Sequence, residues 1–143
     1  MLSIKIKASP GLTSFFNKYP SLYESARAKG TNKSLDLLQK ESFDRAPYKQ
    51  GTLRREIKQD YRNRRLVAGT NQSRPYAWVQ ENGMTIHAKG GGYMTFKTKD
   101  GSWHSVKKVT IKPIKYMHNA LKDNTKKVLD IFRKEFRRAL SGK

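Results

Sequence analysis

Apolar residues along this chain switch between two periods, and proline or glycine marks most of the switches. Residues 2–7 alternate, with Leu2, Ile4 and Ile6 set against Ser3, Lys5 and Lys7. That spacing predicts a short half-buried strand, ended by Pro10-Gly11. Leu12, Phe15, Phe16 and Tyr19 then fall three and four apart, as on one face of a helix. Pro20 marks a kink or the first turn of a new helix, where its missing N–H does no harm. Leu35, Leu38 and Phe43 carry the helical period onward. Gly30 admits two readings. It is either a helix-interior residue costing about 1 kcal/mol relative to alanine, or a helix end followed by a cap at Thr31 or Asn32.

Pro47 stops this helix, because its ring disfavours helical geometry at Ala46 and it has no N–H to donate. Gly51 permits a turn closed to other residues. From Leu53 the period changes, with Leu53, Ile57 and Tyr61 on one face and Arg54, Glu56, Lys58 and Asp60 on the other. "RLVAGT" reads as the return strand of a hairpin, with "RNR" as its turn. "RAPYKQGTLRREIK" is therefore a helix-to-sheet corner. Pro75 opens a short helix containing Tyr76, Trp78 and Val79, and Gly83 ends it. Residues 84–92 read as a loop. A second hairpin turns at Asp100-Gly101, with Met94, Phe96, Trp103, Val106, Val109 and Ile111 as its apolar side chains. The chain closes on one amphipathic helix from Tyr116 to Leu140. Met117, Leu121, Val128, Leu129, Phe132, Phe136, Ala139 and Leu140 form its apolar side; Lys122, Lys126, Lys127, Lys134, Arg137 and Arg138 lie opposite. The pattern predicts one α+β domain over residues 1–143.

Composition narrows the picture. Hydrophobic residues make up only 36% and charged residues 29%, so the core is small and much surface is exposed or covered by partners. There is no cysteine, which excludes a disulfide framework and cysteine-ligated zinc. The sequence has no transmembrane run, and "MLSIKIKASP" is too short and polar for a signal peptide. The chain is thus expected to be made and used without crossing a secretion membrane. The net charge is +20. Residues 1–50, 51–100 and 101–143 carry nine, ten and twelve cations against four, four and three acids, so the charge is graded rather than held in a tail. It points to a polyanionic partner or to a solvated basic surface.

Candidate chemistry is sparse. His87, His104 and His118 lack the i, i+4 pairing of a metal-binding helix. Glu81 and His87 could pair as acid and base, but no spacing requires it. The acids form no cluster of the kind a two-metal nuclease needs. The glycines of "KGGGYM" lead into a strand, whereas a phosphate loop leads into a helix. Aromatics alternate with lysines in "YMTFKTKDGSWHSVKK". They form a base-stacking platform or, more simply, the buried side of one sheet.

Several segments, taken in order, resemble a known family. "RAPYKQGTLRREI" is similar to the Ala-Pro-x-x-Thr-Gly-x-Leu-Arg-x-Ser-Ile signature of small tail-component, or tail-completion, proteins of long-tailed double-stranded DNA bacteriophages. Ala46, Pro47, Gly51, Leu53, Arg54 and Ile57 match it. "LVAGTNQSRPYAWVQENG" resembles the family's next segment through Gly69, Thr70, Tyr76, Ala77, Val79, Glu81 and Gly83. "YMTFKTKDGSWHSVKKVTIKPIKYMHNAL" resembles an inserted hairpin and the helix after it, through Phe96, Gly101, Trp103, Val109, Pro113, Tyr116, Met117, Ala120 and Leu121. The likeness spans about residues 12–140. It departs at Gln50-Gly51-Thr52, where Thr-Gly is reversed, and at Glu56, where the family has serine. It departs again at Gln80-Glu81-Asn82, which replaces a more apolar run, and at Tyr116-Met117, which replaces Pro-Phe.

The resemblance implies an α+β fold, with a long N-terminal helix and a C-terminal helix packed on a mostly antiparallel sheet carrying the inserted hairpin. It implies a structural, non-enzymatic virion subunit at the phage neck that completes the tail or joins head and tail as an oligomeric ring. Neither cofactor, membrane nor small-molecule substrate is expected. Expected partners are further copies of the chain, other neck and tail proteins, and DNA passing transiently through the lumen. Before assembly the protein would lie in the host cytoplasm. The expected subunit interface comprises Tyr93, Met94, Phe96, Trp103 and Val109, with the 84–92 loop and parts of the long helix. Arg54, Arg55, Lys107, Lys108, Lys126 and Lys127 are the expected contacts to acidic partners or DNA. A basic nucleic-acid-binding protein unrelated to virions is the alternative.

Overall fold

A computed structural model of the chain describes Lys7 and residues 9–47, 51–69 and 74–142. Apart from the exposed Lys7, the strand expected over residues 2–7 lies outside the described residues, as does Thr70. Helix α1 (Pro10–Lys18) opens at Pro10, so this proline starts a helix instead of only ending a strand. Tyr19, at φ −127° and ψ 67°, separates it from helix α2 (Pro20–Arg45), where Pro20 again occupies the first turn.

Helix α2 runs unbroken through Gly30. Its buried residues are Ala26, Gly30, Ser34, Leu35 and Ser42, so mostly small side chains form its packing face. Leu38 is only half-buried and Phe43 is exposed. A hydrophobicity pattern cannot find such a face, because small residues act by letting another helix come close. At Gly30 an added Cβ would stand 2.7 Å from Cδ1 and 2.9 Å from Cε1 of the Phe132 ring. Alanine would gain about 1 kcal/mol in helix propensity, but displacing a packed ring costs about 1–3 kcal/mol. Gly30→Ala is expected to lower the denaturant midpoint slightly and Gly30→Leu to lower it more. A raised midpoint for the alanine variant would show that Phe132 moves aside freely.

The C-terminal helix is two helices, α5 (Tyr116–Asp123) and α6 (Thr125–Leu140). The buried Asn124 breaks it, at φ −105° and ψ 12°. Its amide donates to the Ala120 carbonyl at 2.9 Å, and the Thr125 hydroxyl reaches the Leu121 and Lys122 carbonyls at 2.9 and 3.0 Å. Side chains thus bond carbonyls in the last turn of α5, a recognised cause of helix bends. Helix α6 packs along α2, and α5 packs against α2 nearer its C-terminus. One buried carboxylate joins the pair: Glu135 accepts from Lys33 at 2.6 Å and from Arg138 at 2.9 Å. The Lys33 hydrogen bond, and then the neighbouring cations, hold this carboxyl below the usual glutamate range. Its contribution is present above the unfolded glutamate pKa and is lost as pH falls through the lower folded value.

The β structure is antiparallel and divided. Strands β1 (Ile57–Asp60) and β2 (Arg65–Ala68) form the first hairpin, which packs on α2. Thr52–Arg55 is a helical turn, α3, so the strand expected from Leu53 begins instead at Ile57. Helix α4 (Arg74–Asn82) comes next. Strands β3 (Met84–His87), β4 (Met94–Lys97), β5 (Trp103–Val106) and β6 (Lys108–Ile111) then pair as β3–β6 and β4–β5. The segment expected as a loop over residues 84–92 therefore opens with a strand. The fold class is α+β, but the expected sheet is three two-stranded ribbons among the described residues. No helix among those residues is long and apolar enough to cross a membrane.

Candidate docking site

The helix-to-sheet corner is the centre of the hydrophobic core. Ala46, Leu53, Ile57, Ala77 and Tyr116 form one buried cluster, with Ala68 and Met117 against it. Three of these come from the corner motif, one from α4 and one from the first turn of α5. Pro47 lies just past the end of α2, and Gly51, at φ 74°, starts α3 so that Leu53 turns inward. Gly69 is buried where its N–H bonds the Glu56 carbonyl at 3.3 Å. Arg54 is partly buried. Its Nε donates to the Ala46 carbonyl at 2.9 Å, and its guanidinium lies 5.5 Å from the Phe43 ring centre. It therefore satisfies the carbonyl end of α2, where a cation suits the helix dipole. Arg55, Lys126 and Lys127 are exposed. Lys127 lies 3.9 Å from Glu41.

The C-terminal end of α4 anchors both the start of β3 and the first turn of α5. Gly83, at φ 75°, closes the helix with an N–H bond to the Val79 carbonyl at 2.7 Å. Glu81 is one of the residues expected from the motif, but its role is not legible in the sequence. Its two carboxylate oxygens accept the N–H groups of Met117 and His118 at 2.9 and 2.8 Å. The residue in the cap position of α5 is Lys115, which is left-handed (φ 56°) and makes no side-chain cap bond. An acid from α4 supplies the missing cap and sits at the positive end of the α5 dipole. The Ile114 N–H bonds the Gln80 carbonyl at 2.8 Å. Replacing Glu81 with alanine is expected to cost about 2 kcal/mol, as for loss of charged hydrogen bonds. Glutamine, which retains one acceptor, should cost less. Chemical denaturation of both variants checks the order, and equal losses would contradict the capping role.

From this anchor β3–β6 projects as a ribbon arm. Its strands make their principal contacts with their own partners. The register pairs Met84 with Ile111 and Ile86 with Val109, which places all four on one face; Thr85, Thr110, His87 and Lys108 share the other. Six residues, 88–93, then separate β3 from β4, while Lys107 alone separates β5 from β6. The "KGGGYM" glycines fall in this extra segment. In the outer pair, Met94, Phe96, His104 and Val106 share one face; Thr95, Lys97, Trp103 and Ser105 share the other. Phe96 and Trp103 are thus on opposite faces and do not form one buried side.

Exposure is the main feature of the arm. Relative exposure is 46% for Met84, 38% for Ile86, 65% for Tyr93, 37% for Phe96 and 69% for Trp103. Met94 and Val109 are half-buried, and Lys107 and Lys108 are exposed. Lys107 Nζ lies 5.5 Å from the Tyr93 ring centre, and the Phe96 and His104 rings stack at 6.1 Å. Tyr76, on α4, is also exposed. The expected interface residues therefore lie on one arm. The expected cations come from three elements: Arg54 and Arg55 from the corner, Lys107 and Lys108 from the arm, and Lys126 and Lys127 from α6. Met84 and Ile86 fall within the 84–92 segment expected at the interface, but the sequence reads that segment as a loop because its alternation is too short to mark a strand. Among the described residues no group of three potential ligands could hold a metal ion. Comparison with protein-family models, with curated proteins and with solved structures finds no match to this chain.

Proposed function

We propose that this protein is a structural subunit of the neck of a long-tailed bacteriophage, completing the tail or joining head and tail as one member of an oligomeric ring. The observation that carries the reading is the joining of a rigid corner to an exposed arm. Motif residues from three separated segments meet in one core, and the arm leaves the body with apolar side chains uncovered. A lone two-stranded ribbon is at best marginally stable in water. Such an arm suits a surface that a neighbouring protein completes on assembly, while the ring itself, the common arrangement of repeated small subunits around an axis, would close through other surfaces. Mass spectrometry and electron microscopy of purified particles test the placement: the protein should be a stoichiometric component at the head–tail junction, and its absence would reject the reading.

The net charge of +20 favours a second reading, a basic nucleic-acid-binding protein. That protein would bind duplex DNA with affinity falling steeply as salt rises.

A further inference from the structure

We infer that the edge of the β3–β6 arm takes up an extended acidic segment of a different chain, whose alternating apolar residues lie alongside the arm's apolar strip. The inference deepens the proposed docking role and rests on that role, not on the neck location. Between residues 84 and 115 there are seven lysines, no arginine and one acid, Asp100. Asp100 is held in its own turn by the Ser102 hydroxyl and N–H. None of these lysines forms an ion pair among the described residues. Beside them lies the half-exposed strip of Met84, Ile86, Val109 and Ile111.

A second copy of the chain is a poor occupant. It brings another +20 of charge. At least nine of its eleven carboxylates already accept hydrogen bonds or ion pairs within their own chain. Few are left to answer the lysines, and like charges across an interface disfavour it. Contacts between copies then fall to other surfaces. A phosphate backbone would answer the lysines but leave the apolar strip wet. The arm also lacks arginine, the residue suited to bidentate phosphate contact. An extended acidic segment with alternating apolar residues satisfies both features: added as a strand at the ribbon edge, it packs its apolar side chains alongside the strip and sets its acids on the face that carries Lys108.

The test uses the full chain and labelled peptides of equal length, alternating valine with glutamate, lysine or serine. Fluorescence anisotropy should show saturable binding of the Val–Glu peptide and none of the Val–Lys peptide. Ile86→Asp should weaken binding about tenfold or more. Lys107→Glu with Lys112→Glu should weaken it as well and shift preference toward the Val–Lys peptide. These positions are exposed, so the helical circular dichroism and melting of the variants should match the parent. Three results would overturn the inference: no peptide binding; duplex DNA competing with the peptide while Ile86→Asp has no effect; or self-association that Ile86→Asp abolishes. Particle composition tests the neck reading separately, so either can fail while the other stands.

Discussion

Tyr116→Ala is expected to lose about 3–5 kcal/mol of stability, as large aromatic truncations in cores do, whereas Tyr116→Phe should lose nothing. The ring is 1% exposed and belongs to the cluster that joins the corner, α4 and α5. Its hydroxyl is buried without a hydrogen-bond partner among the described residues. An unpartnered buried hydroxyl carries its desolvation cost with no return, so removing it is neutral or stabilising. The phenol also makes the comparison pH-dependent. Burial first, and then the charges of Glu81 and Tyr76, raise its pKa well above the ordinary tyrosine value of 10.0. Below that ordinary value both folded and unfolded states keep the proton, and the phenol adds no slope. Above it the unfolded chain releases the proton while the folded chain holds it, so stability falls as pH rises. The phenylalanine variant escapes this loss. Its advantage over the parent should widen above about pH 10, by up to about 1.4 kcal/mol per pH unit. Denaturant melts at pH 7 and above pH 10 check this. A phenylalanine variant much weaker than the parent at pH 7 would mean that the hydroxyl has a favourable partner.

Strong local signals made much of this fold legible. Pro47 and Gly51 placed the corner, Asp100-Gly101 placed the outer hairpin, and Pro75 with Gly83 bracketed α4. Three kinds of information were hidden. The packing face of α2 rests mainly on small residues, including Ala26, Gly30 and Ser34, which carry almost no hydrophobic period. The break at Asn124 depends on polar side chains competing for carbonyls; its only trace in the sequence is Asp123-Asn124-Thr125, three residues suited to helix ends. The pairing of β3 with β6 joins segments more than twenty residues apart, and a local pattern cannot specify a partner at that distance. For the site, alternation identified Phe96 and Trp103 as a pair, but only the register shows them facing opposite ways. Glu81 was legible as a motif residue. Its capping of α5 was not, because the need for it arises at Lys115, thirty-four residues later.

Gly83→Ala is expected to cost about 3 kcal/mol and to lower the melting temperature by roughly 10 °C. Two penalties add. The backbone at φ 75° is disfavoured for any residue with a Cβ. The Cβ would also stand 2.8 Å from Pro113 Cδ and 2.9 Å from the Ile111 carbonyl oxygen. That carbonyl belongs to the first rung of the arm, where Met84 faces Ile111. Gly83 is therefore the point where the outgoing and returning chains pinch together beside the end of α4. A methyl group there must push the returning chain away, which also disturbs the Ile114–Gln80 bond and the Glu81 cap. Gly83→Asn separates the penalties, since asparagine tolerates the left-handed backbone but still carries a Cβ. It should recover part of the loss, leaving the steric share. The arm should suffer in both variants: hydrogen exchange at the β3–β6 amides should speed up more than exchange in the core of α2. If exchange rose equally everywhere, Gly83 would be supporting the whole body and not the arm root. If neither variant lost stability, the pinch would be loose, and the arm would not be held in a fixed direction.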